Sequence, residues 1–99
     1  MDISELPGAE LIEQGLHDLV AHRDTDAAFL VLIGAERLRR LGLTVPPPPA
    51  AWFAAPHDPW PEHRLYALLA ISNPDSAHSR YNALIRTLVS FERAGECVR

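Results

Sequence analysis

Lysine is missing from this 99-residue chain, and all nine basic residues are arginine. That removes Schiff-base chemistry and the phosphate-gripping lysine of a P-loop. Cysteine occurs once, at Cys97, so no intrachain disulfide can form, which fits a reducing compartment. A thiol so close to a chain terminus lacks the fixed base and pocket of a catalytic cysteine, and Cys97 is expected to be inert. Long apolar runs are absent too. The longest, Ala27 to Ala35 (AAFLVLIGA), falls far below the ~20 residues of a membrane span. The opening MDISELPGAE has no basic stretch followed by an apolar one, as a secretory signal would. The expectation is a cytoplasmic protein with no membrane partner, and the alanine-, proline- and arginine-rich composition points to a GC-rich bacterial genome.

A net charge of -4 argues against a protein that tracks phosphate backbones. The charge is uneven. Residues 1–30 carry seven acids against Arg23, whereas residues from Ser76 onward carry four arginines against Glu92 and Glu96. An acidic first helix beside a basic last one helps to close a helical domain, or marks two faces that meet between subunits.

With 47% apolar residues, the chain can bury one core and is read as a single helical domain. Ala9, Ile12, Leu16, Leu19 and Val20 recur at helical spacing, with Glu10, Glu13, Gln14, His17 and Asp18 on the other side. This predicts an amphipathic helix over about 5–22, capped by Ser4 and tolerating Pro7 in its first turn. Asp24 or Thr25 caps a second helix, about 25–41, which stops at Gly42 with Leu43 and Val45 folding back on it. Phe29 to Ile33 are consecutive and apolar around the whole circumference, so this helix must be covered on every side. Either it is the centre of a tight bundle, or a second copy covers its outward stripe.

Four consecutive prolines, Pro46 to Pro49, forbid a helix interior and mark a stiff connector over 43–58. They formally satisfy PxxP, but a spacer is the simpler role. Trp52 and Phe53 are expected to anchor the connector in the core. Asp58-Pro59 then reads as cap and first residue of a third helix, about 59–71, and Asn73-Pro74 repeats that signal for a fourth, about 74–94, ended by Gly95. In the last helix Ala77, Tyr81, Leu84, Ile85, Leu88 and Phe91 form the apolar stripe. The fold class is all-α: a compact four-helix domain, two helical hairpins joined by a proline-rich connector.

The segment HDPWPEH, residues 57–63, collects chemistry-bearing side chains. His57, Asp58, Glu62 and His63, joined by His78 at the start of the fourth helix, are of the types that ligate a divalent metal. The spacing matches no strong metal motif, and helix entry explains the segment equally well. No cofactor is expected, a divalent metal being the alternative. Nothing supplies a recognisable nucleophile, oxyanion site or phosphate cradle. The leading expectation is a small non-enzymatic interaction module, a homodimer that binds another protein, with Phe29, Leu32, Arg80, Asn82, Arg86 and Arg93 as candidate surface residues. The alternatives are a metal- or small-ligand-binding enzyme using residues 57–63 and, less favoured, a DNA-binding regulator in which the third and fourth helices form a helix-turn-helix.

Overall fold

The computed structural model describes residues 6–49, 52 and 61–97, which contain helices and no strand. The elements are α1 (Ala9–Val20), α2 (Asp26–Ile33), α3 (Ala35–Arg40), α4 (Pro61–Ser72) and α5 (Ala77–Cys97). The all-α architecture expected from the periodicity is therefore present, but the second helix is broken at Gly34 into α2 and α3, and the first begins only at Ala9, behind a turn at Pro7 and a left-handed Gly8 that keep Pro7 out of the helix.

Helix α2 packs against α1, α3, α4 and α5, and Ala27, Ala28, Phe29, Leu30 and Val31 are all buried. The helix that is apolar all round is the centre of the bundle, so the chain itself covers most of the stripe that would otherwise call for a second copy. Gly15 allows this packing. A Cβ there would collide with the Ala27 carbonyl oxygen and the Val31 side chain, so α1 and α2 can touch only through a bare backbone.

The corner between α1 and α2 explains a residue that the sequence pattern misplaces. Asp18, assigned above to the polar side of α1, is only 4% exposed. Its Oδ1 accepts from Gln14 Nε2 at 2.8 Å and Arg23 Nε at 3.1 Å, and its Oδ2 accepts from the Thr25 hydroxyl at 2.7 Å. The same Thr25 oxygen accepts from the Ala28 amide at 3.2 Å as the N-cap of α2. Helix α1 ends with the His22 amide donating to the Leu19 carbonyl and the Arg23 amide to the Asp18 carbonyl, and His22 takes a left-handed φ of 59°. Helix α3 ends the same way. The Gly42 amide reaches the Arg39 carbonyl and the Leu43 amide the Leu38 carbonyl, with Gly42 at φ 98°. These are paired Schellman closures, one on glycine and one on histidine.

Residues 43–49 are irregular, as the prolines require. Val45 does fold back: it is buried, and its carbonyl accepts from Arg39 Nη2 at 2.8 Å. Trp52 places its ring 5.5 Å from that of Phe29, the anchoring contact expected of it; Phe53 lies outside the described residues, as do Ser4, His57 and Asp58. Helix α4 has proline as its first residue, Pro61, where a missing N–H costs nothing.

The Asn73-Pro74 start is corrected by the structure. The Asn73 backbone carbonyl accepts from the Ser76 amide at 3.2 Å to make a turn, and α5 begins at Ala77, with the Ser76 carbonyl accepting from the Arg80 amide. Nor does Gly95 end α5. A Cβ at Gly95 would lie 3.0 Å from Leu41 Cδ1, so Gly95 serves close packing and the helix continues to Cys97.

Candidate functional site

The residues singled out as metal ligands are not gathered by the described part of the fold. Glu62 and His63 sit on the first turn of α4 and His78 on the first turn of α5. Among the described residues no three His, Cys, Asp or Glu side chains are grouped to hold a metal ion. His78 Nε2 lies 3.2 Å from Asn82 Nδ2, one helical turn on. Rings fill the seam between α4 and α5: Tyr66 stands 5.7 Å from Tyr81 and 6.5 Å from His78. Burial, and then the nearby Glu62 carboxylate, raise the Tyr81 hydroxyl above its ordinary pKa, because both penalise phenolate.

The candidate interaction residues separate into two groups. Phe29 is corrected from surface to core: it is 2% exposed, beneath the Trp52 ring and the Arg64 guanidinium, whose carbon lies 5.6 Å from the ring centre. Leu32 is half-buried. Arg80, Arg86 and Arg93 are exposed on α5 and Asn82 is half-exposed beside them. Arg80 approaches Asp26 at 3.8 Å.

A further concavity lies elsewhere, between the α2–α3 break and α5. It encloses about 400 Å³ and is lined by Ile33, Gly34, Glu36, Arg37, Arg40, Ile85, Leu88, Val89 and Glu92. Ile33, Ile85, Leu88 and Val89 make it apolar, and Glu36, Arg37 and Arg40 form its charged rim. At its base Glu92 is 3% exposed. Arg37 Nη1 lies 3.2 Å from Glu92 Oε1, while Arg37 Nη2 and Nε donate to Glu96 Oε1 at 2.7 and 3.0 Å. Arg40 pairs with Glu36 at 2.6 Å.

Glu92 Oε2 is buried with no hydrogen-bond partner. It faces Gly34, where a Cβ would come within 2.8 Å of it. Burial raises the Glu92 carboxyl above its ordinary value, with Glu96 adding to the rise, and outweighs the attraction of Arg37. Desolvation wins because Arg37 is shared with Glu96 and half in solvent.

Comparison with known protein families, curated proteins and solved structures finds no significant match to this chain. The site must therefore be read from its own chemistry. Sequence reasoning missed Glu92 and Arg37, although a signal was there: Glu92 is four residues beyond Leu88, on the continuation of the apolar stripe of α5, where an acid is out of place. Gly34, inside an apolar run, is the second sign, since it leaves room for the carboxylate.

Proposed function

We propose that the chain is a small non-enzymatic interaction module that holds a helical segment of another protein in the groove between α3 and α5. The observation that carries this reading is the groove itself, with Ile33, Ile85 and Val89 at an open apolar lip and arginines and glutamates around it. An apolar groove with a charged rim is the form in which amphipathic helices are recognised. By contrast Ile71, though 82% exposed, is a single side chain on α4 of the sort ordinary surfaces carry.

A second copy is the other occupant to weigh. In a two-fold antiparallel pairing of α5 the same flank of each helix meets its counterpart. The flank bearing Arg86 and Arg93 would then face itself, and like charges repel. This favours a separate partner protein over a homodimer through α5.

Photo-crosslinking tests the reading. A benzophenone side chain at Val89, in cells that express the protein, should give one discrete product, with none from the same group at Ile71. A product from Ile71 alone would overturn the groove as the docking surface, and a product of twice the chain mass would identify a second copy.

A further inference from the structure

Arginine usage in the structure is nearly complete. Arg23 pairs with Asp18, Arg37 with Glu92 and Glu96, Arg40 with Glu36, and Arg80 approaches Asp26. Arg39 donates to the Val45 carbonyl and Arg64 covers the Phe29 ring. Among the described arginines only Arg86 and Arg93 are left, both exposed on α5 with neither an ion pair nor a hydrogen bond. In a chain of net charge -4, acids are plentiful, yet none of the described ones is placed against these two.

Their position is informative. Seven residues apart, they share a face of α5 and stand about 10 Å apart along its axis. That face borders the half-buried Ile85 and Val89 of the groove lip, with Asn82 on the same side. Two uncommitted cations beside an apolar lip call for a ligand that is acidic and apolar at once.

We infer that the partner segment is an acidic amphipathic helix that seats its apolar stripe on Ile85 and Val89 and presents two carboxylates, about seven residues apart, to Arg86 and Arg93. The inference rests on the groove being the docking surface and adds the charge and spacing of what docks. Nucleic acid fits less well, because two cations in an acidic protein neutralise few phosphates and an apolar lip gives a phosphate backbone nothing to contact.

The test is a display library of 16-residue helical peptides randomised on one face, selected against the full chain and counter-selected against Val89→Asp. Circular dichroism melts confirm that the variant folds, with Val89→Ser as the milder replacement if it does not. The expected outcome is enrichment of sequences with Asp or Glu seven residues apart around large apolar residues. Their affinity should fall about tenfold or more in Arg86→Glu/Arg93→Glu and weaken as ionic strength rises. Lysine versions of the same peptides should recover binding to that double variant. Enriched peptides that depend on Val89 but lack the acidic spacing would overturn this inference and leave the groove standing. If no peptide distinguishes the native chain from the Val89 variants, both readings fall.

Discussion

The Thr25 hydroxyl stands 2.7 Å from Asp18 Oδ2 and 3.2 Å from the Ala28 amide, donating to the first and accepting from the second. One oxygen thereby ties the end of α1 to the start of α2, and each bond polarises the other. Thr25→Val keeps the shape but removes both. It should lower stability by about 2 kcal/mol, a lost cap plus a poorly satisfied buried carboxylate. Thr25→Ser should retain most of it in urea denaturation.

The two buried acids should give stability opposite pH slopes. Asp18 has its pKa lowered below 3.8, first by the Thr25 hydrogen bond, with Gln14 and Arg23 adding to it against the cost of burial. Its contribution is present above the unfolded value and disappears as pH falls through the folded one. Glu92 is raised above 4.5 by burial, so its folded form holds the proton more tightly. That contribution is present below the unfolded value and disappears as pH rises through the folded one. Urea midpoints measured across this range should show the Glu92 slope vanish in Glu92→Gln and the Asp18 slope vanish in Asp18→Asn.

Replacing the buried carboxylate should cost little. In Glu92→Met the orphaned Oε2 disappears while Arg37 keeps Glu96, and stability at neutral pH should be unchanged or about 1 kcal/mol higher. Arg37→Met does the reverse, stranding a buried charge, and should cost stability at neutral pH. That cost should shrink where Glu92 is protonated. Equal losses from the two substitutions would contradict the account of Glu92 as a desolvated acid.

Gly15→Ala should destabilise by about 1–3 kcal/mol, because the new Cβ is driven into the Ala27 carbonyl and the Val31 side chain and the two helices must separate. Thermal melts would read this directly. The opposite sign is expected at the end of α1. His22 occupies a left-handed position, φ 59°, that glycine fills at Gly42, so His22→Gly should gain about 0.5–1 kcal/mol.

Much of this fold was legible because its signals are local. Thr25 as a cap, Gly42 as a stop, the apolar stripe of α5 and the all-round apolarity of α2 follow from hydrogen-bonding capacity and a 3.6-residue period, which act within one or two turns. The same locality explains the misjudged boundaries. Asn73-Pro74 and Gly95 carry terminus signals, yet a turn and a packing contact with Leu41 use them otherwise.

By itself the sequence determined that the chain is helical, where most helices lie and that α2 must be buried, since these depend on backbone preferences and the spacing of apolar residues. Only the tertiary structure decided that Asp18 and Glu92 are inside, that Phe29 is covered by Trp52, and that none of the described acids meets Arg86 or Arg93. Those facts depend on which side chains from distant turns arrive at the same place, and a charged residue reads alike in sequence whether its neighbour is water, an arginine or a bare glycine.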